Sequence, residues 1–135
     1  MSELNLEIIT PSKSSRSREI KAITIPGTKG RFQVLKSHAP IISTFDIGMI
    51  KIDTLDGKAD YYATAGGTIE VLDNKVLVLA DSIEQVSEID EERALRAKKR
   101  AEERLAAKNS NINIARAQAA LARANNRLQI IEKYK

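Results

Sequence analysis

The stretch "SEIDEERALRAKKRAEERLAAK" (Ser87–Lys108) separates two kinds of sequence within one chain. Charges of both signs crowd it, and alanine stands where a deeply buried helix would carry leucine. Ser87 with Asp90 three residues on has the form of a capping box, Asp taking the place of the usual Glu. Asp90, Glu91 and Glu92 then put negative charge in the first turn, where the helix dipole favours it. Ala94, Ala97, Ala101 and Leu105 recur at intervals of three and four, which is one helical face. After the turn-rich break "KNSNIN" (Lys108–Asn113), a second helix follows with Ala117, Leu121, Ala124, Leu128 and Ile131 on one face. So short a connection predicts an antiparallel hairpin with an alanine seam.

Upstream the texture changes. All six Gly, all three Pro and both Phe precede residue 86, and stretches there show partial alternation with period two. "LNLEIIT" (Leu4–Thr10) and "EIKAITIPG" (Glu19–Gly27) are rich in β-branched residues and stop at proline. "GTKG" is a turn, followed by "RFQVL", "IISTF" and "IGMIKID". Asp56-Gly57 is a preferred tight-turn pair, and "TIEVL", "DN", "KVLVLAD" reads as another hairpin. Strand after strand at intervals of about 8–12 residues suggests an antiparallel sandwich or barrel. The expectation is an α+β chain: an N-terminal antiparallel β-sandwich of about ten short strands over 1–85, then a C-terminal two-helix hairpin over 86–135.

Charge divides at the same place. Residues 1–85 carry ten basic and eleven acidic side chains; residues 86–135 carry twelve and seven. Cysteine is absent, so disulfides, thiolate metal sites and a cysteine nucleophile are excluded. "MSELNLEIITPSK" lacks the basic start and apolar run of a signal peptide. No stretch approaches the roughly 20 apolar residues of a membrane span. Any attachment to a membrane is expected to be indirect.

Little in the chain points to chemistry of its own. His38, the one histidine, sits in "KSHAP" with no Cys or His neighbour for a metal site. "GTKG" lacks the Lys-Ser/Thr and the following helix of a phosphate loop. No catalytic residue and no metal ligand is assigned. The arginines of the hairpin differ: Arg93, Arg100 and Arg104 project along one side of the first helix, and Arg116, Arg123 and Arg127 along one side of the second. Arg123 and Arg127 are one turn apart, so both planar guanidinium groups can meet one anion. Three readings stay open: a solvated face with pairs such as Glu92–Arg96, a nucleic-acid arm, or a surface for a defined anionic partner. Interleaved acids and the lack of aromatics for base stacking weigh against the nucleic-acid arm. An alanine seam also buries little apolar area, so the helices are expected to be held weakly to each other and to the sandwich.

The order of these segments resembles the epsilon subunit of F-type ATP synthases along essentially the whole chain. The resemblance is carried by "LNLEIITP", "GRFQVLKSHAP", "IGMIKI", "ATAGGTIEVLDNKVLVLAD", "IDEERA" and "ARAQAALARANNRLQI". It implies a non-catalytic part of the central stalk, with the gamma subunit, the c-ring and the alpha and beta subunits as partners and no nucleic acid. The hairpin would inhibit ATP hydrolysis by extending toward acidic catalytic-subunit surfaces, with Arg100, Arg104, Arg116, Arg123 and Arg127 as candidate contacts. In some bacterial relatives "IDxxRA" and second-helix arginines bind ATP; the matching positions are Ile89, Asp90, Arg93, Ala94, Arg123 and Arg127. No cofactor would be required, with ATP as a regulatory ligand. His38 is a candidate stalk or c-ring contact. Its loop departs from the family pattern, with Gln33 in place of a glycine and Lys36-Ser37 in place of Pro-Gly. The implied location is peripheral, on the cytoplasmic face of a bacterial plasma membrane or the stromal face of a thylakoid membrane, the bacterial one preferred. The alternative is a stand-alone ATP-sensing or basic nucleic-acid-binding module.

Overall fold

Alternation of apolar and polar residues builds two five-stranded sheets that bury their apolar faces against each other. The computed structural model describes residues 4–13, 17–107 and 113–135. The strands are β1 (Leu4–Ile9), β2 (Arg18–Ile20), β3 (Ala22–Ile25), β4 (Phe32–Leu35), β5 (Ile41–Phe45), β6 (Gly48–Asp53), β7 (Ala59–Thr64), β8 (Gly67–Leu72), β9 (Lys75–Ala80) and β10 (Ile83–Gln85). One sheet runs β2-β1-β9-β8-β5 and the other β10-β7-β6-β3-β4. Leu4, Leu6, Ile20, Ile23, Ile25, Val34, Ile50, Ile52, Ile69 and Val78 are buried in the core between them. Each such side chain contributes about 1.5–3 kcal/mol by leaving water.

Two details differ from the pattern reading. β1 pairs parallel to β9, from Asn5 beside Lys75 to Ile9 beside Leu79, whereas the other ladders are antiparallel. The single stretch expected over Glu19–Gly27 splits at Lys21. β2 pairs with β1 in one sheet, and β3 pairs with β4 and β6 in the other. The chain crosses between sheets there, so Ile20 and Ala22 are both buried.

The turns follow their residues. Asp73 and Asn74 both take positive φ (49° and 61°), the requirement of the tight β8–β9 hairpin turn. Gly67 has no alternative, because a Cβ there would run into the Leu79 carbonyl oxygen.

After β10, a single 3₁₀ turn (Val86–Glu88) leads to α1 (Glu91–Ala106), and α2 spans Ile114–Tyr134. Ser87 is not the cap of α1. Ile89 stays extended (φ −76°, ψ 127°) and buries its side chain, so the helix starts one residue after Asp90. Asp90 is itself the cap, its carboxylate accepting from the Arg93 N–H at 3.1 Å. Asn113 caps α2 likewise, accepting from the Arg116 N–H at 3.0 Å. The remainder of the break, residues 108–112, lies outside the described residues. Ala94 and Ala101 of α1 and Ala117 and Ala124 of α2 are buried along the seam. The expected Glu92–Arg96 pair is present at 3.9 Å, and its exposure leaves it worth little.

A second face of α2, unseen in the seam pattern, meets β6 and β7. There Ile130 joins Ile131, the last residue of the seam, and Ala63, Val86 and Ile89 in a small cluster distinct from the sandwich core. The hairpin therefore sits on the sandwich through the later turns of α2.

Candidate functional site

A groove of about 380 Å³ opens where the start of α1 faces α2 and β10. Ile89, Asp90, Arg93 and Ala94 supply one wall, Arg123 and Arg127 the opposite one. All six residues assigned to the nucleotide by the sequence resemblance line this one space, although the two sets are separated in the chain by the break. The mechanism is helical phase. Asp90 caps α1, so Arg93 and Ala94 lie one turn on, and α2 returns antiparallel to bring Arg123 and Arg127 opposite them.

Three further charged residues belong to the groove. Arg100, placed by sequence only among contacts to an acidic partner, lies two turns beyond Arg93 on the same wall. Glu84 and Glu88 come from the end of the sandwich and the 3₁₀ turn. Nothing local in "DSIEQ" marks Glu84, since only tertiary packing places it beside α2. The groove thus sets four arginines against three carboxylates.

The arrangement is partly self-paired. Arg127 Nε donates to Glu84 Oε1 at 2.6 Å, with side chains 28% and 39% exposed. The preceding residue, Asn126, donates from Nδ2 to the Gly48 carbonyl at 2.8 Å. Together these tie α2 to β6 and β10. Arg127 has further N–H donors beyond Nε, and Asp90 has acceptor capacity beyond the bond to Arg93. Both can meet a ligand without breaking the contacts they already make.

The other expected contact residues lie elsewhere. Arg104, in the last turn of α1, and Arg116, in the first turn of α2, are exposed at the far end of the hairpin. His38 is half-buried in the β4–β5 connection, its Nδ1 donating to the Ala39 carbonyl at 2.7 Å. Ser37 beside it takes a left-handed φ of 65°, and its N–H bonds Asn74 Oδ1 at 2.6 Å. Lys36-Ser37 therefore still makes a tight turn, anchored by a side chain from the β8–β9 hairpin.

Fold and groove define a two-part chain: a β-sandwich carrying an arginine-walled helical hairpin against β6, β7 and β10. The comparisons give that class a family. Residues 3–86 match the family model for the "ATP synthase, Delta/Epsilon chain, beta-sandwich domain", and residues 87–132 match the "long alpha-helix domain" of the same family. The ATP synthase epsilon chain of Nitratidesulfovibrio vulgaris is 45% identical over 127 residues, 94% of each chain. That of Syntrophomonas wolfei is 41% identical over 128 residues, covering 95% of this chain and 93% of its own. Among solved structures, a chain of the Euglena gracilis mitochondrial ATP synthase aligns with a TM-score of 0.85 at 20% identity. That alignment covers 97% of this chain and 82% of that one, and bears on the fold.

The chain belongs to the delta/epsilon family of ATP synthase subunits. It is a subunit of that complex and not its catalytic part. It is a peripheral component of a membrane complex, and among the described residues no helix is long and apolar enough to cross a membrane.

Proposed function

We propose that the chain acts in the central stalk as a coupling subunit whose hairpin is a nucleotide-responsive brake on ATP hydrolysis. The observation carrying this is the groove itself. Its arginines come from both helices, and Glu84 comes from the sandwich. A polyphosphate held there bonds both helices beside the sandwich edge and favours the folded hairpin over any extended one by mass action. ATP fits the donor set: the guanidinium groups of Arg93, Arg100, Arg123 and Arg127 face phosphate oxygens, and Asp90 accepts from the base amino group or a ribose hydroxyl. When the hairpin leaves the sandwich, those arginines, with Arg104 and Arg116, become a basic rod for acidic surfaces of the alpha and beta subunits.

The sandwich serves as the attachment. Its first sheet turns Ile42, Leu72 and Leu79 outward, at 78%, 51% and 44% exposure. These suit the gamma subunit, and the His38 connection suits either gamma or the c-ring. The chain then sits on the cytoplasmic face of a bacterial plasma membrane, held there through the complex. Titration of the full chain with ATP tests the groove. Saturable binding weakened at least about tenfold by Arg123→Ala or Arg127→Ala is expected, the loss of roughly one charge-assisted hydrogen bond. Equal binding in both variants removes these arginines from the site.

A further inference from the structure

We infer that Tyr134 and Lys135 form a clasp that gates the departure of the hairpin from the sandwich. The inference rests on the reading that the hairpin moves, and concerns which contact must yield first. Tyr134, at the end of α2, stacks on Tyr61 of β7 with ring centroids 3.9 Å apart and planes 14° from parallel. The next residue reaches back: Lys135 Nζ donates to the Ile89 carbonyl at 2.7 Å.

The place of Ile89 gives the second bond its meaning. Ile89 is the extended residue joining the 3₁₀ turn to the Asp90 cap, so it is where the hairpin leaves the sandwich. A rigid-body swing of the hairpin must turn the backbone at such a joint. The end of α2 thus grips the joint around which α2 would itself rotate. The stack and the lysine bond close a loop from the joint through α1 and α2 and back to the joint.

The clasp also sits where opening has to begin. The cluster beneath it contains Ile130 and Ile131 from α2 but no residue of α1. α1 meets the sandwich mainly through α2, and the seam between helices runs their length. Lifting the last turn of α2 therefore uncovers Ile130, Ile131 and the Ile89 side chain in turn. With the last turn in place, Asn126 and Arg127 cannot leave Gly48 and Glu84 by rotation about the joint. Ile89 and Asp90 line the anion groove as well. A ligand there and the clasp hold the same short segment.

Amide hydrogen exchange on the full chain tests the clasp, with Tyr134→Ala, Tyr134→Phe and Lys135→Ala beside the unaltered protein. Loss of the stack is expected to accelerate exchange about tenfold through both α1 and α2 together. That is an opening free energy lower by about 1.4 kcal/mol. Both helices respond because an undocked hairpin keeps only its alanine seam, and helices of 16 and 21 residues so weakly supported open readily. Tyr134→Phe keeps the stacked ring and should stay within about twofold of the unaltered chain, and Lys135→Ala should show about threefold acceleration. Amides of β8 and β9 should exchange unchanged in every variant. Acceleration confined to the last turn of α2 in Tyr134→Ala overturns the proposal, because the turn then frays without releasing the hairpin. So does acceleration that extends equally into β8 and β9, since the hairpin then has no separate gate. If exchange behaves as expected but removal of the hairpin leaves hydrolysis by the assembled enzyme unchanged, the clasp stands and the brake does not.

Discussion

Replacing Ile130 by alanine should release the hairpin and leave the sandwich standing. Ile130 is 4% exposed and lies in the small cluster under α2, apart from the core between the sheets. The substitution deletes three carbons, about 2.4 kcal/mol at roughly 0.8 kcal/mol per group. Deeply buried Ile→Ala changes cost about 2–5 kcal/mol, the upper part arising from cavities that cannot collapse. This cluster is small and bordered by half-buried Met49, Tyr61 and Tyr134, so it can close over the gap. The lower end, about 2 kcal/mol, applies, a roughly thirtyfold shift toward the detached hairpin. Urea unfolding with two probes reads it out: helical circular dichroism, and exchange of β8 and β9 amides for the sandwich. The helical midpoint should fall while the sandwich midpoint holds. A common fall at both probes would mean that the hairpin and the sandwich are one cooperative unit. Unchanged midpoints would mean that Ile130 is not an anchor.

Other substitutions separate roles that overlap in the structure. Asp90→Asn keeps a capping oxygen for the Arg93 N–H but loses the charge, whereas Asp90→Ala loses both and should cost α1 about 1 kcal/mol. If the carboxylate acts on ATP, both variants weaken binding but only the alanine variant destabilises the helix. In the β6–β7 turn, the Thr54 hydroxyl and then the Lys58 N–H hold the Asp56 carboxyl below its ordinary 3.8. The stabilisation is present above pH 3.8 and lost as pH falls through the lower folded value. Thr54→Val should raise the Asp56 titration midpoint toward 3.8 by NMR, and an unmoved midpoint refutes the assignment. Burial, then the nearby Asp60 charge, raises Tyr62 above 10.0. Its neutral hydroxyl is favoured by folding, so the folded state gives way as pH rises past 10.0 toward the folded value. Spectrophotometric titration of Tyr62→Phe against the unaltered chain isolates that contribution: a tyrosine titrating above 10.0 should vanish in the variant, and its persistence would refute the assignment.

Much of the fold is readable because its signals are local. Alternation marks the strands, Asp56-Gly57 and Asp73-Asn74 mark two turns, and threefold and fourfold alanine spacing marks the seam. What escapes depends on distant partners. The parallel pairing of β1 with β9 carries no local signature, nor does the crossing between sheets at Lys21. Ser87 resembles a cap because capping boxes depend on spacing. The burial of Ile89, which moves the true cap to Asp90, depends on Ile130 and Val86. Ile130 escapes for a related reason: a search for one apolar face cannot show that α2 has two partners.

The groove divides in the same way. Its six resemblance-derived residues are brought together by helical phase and by the antiparallel return of α2, both legible in sequence. Glu84 is not, since it follows from how the hairpin lies on β10. Arg100 shares the helical phase of Arg93, and only the assembled groove shows that it faces the same space.

The most direct test of the account is ATP hydrolysis by the assembled enzyme carrying either the full chain or residues 1–86. The sandwich core closes among residues up to Ile83 without any helix side chain, so the shortened chain should fold and remain bound. A brake in the hairpin predicts faster hydrolysis with the shortened chain, and a gap between the two chains that widens as ATP is lowered. Equal rates with both chains at every ATP concentration would contradict it.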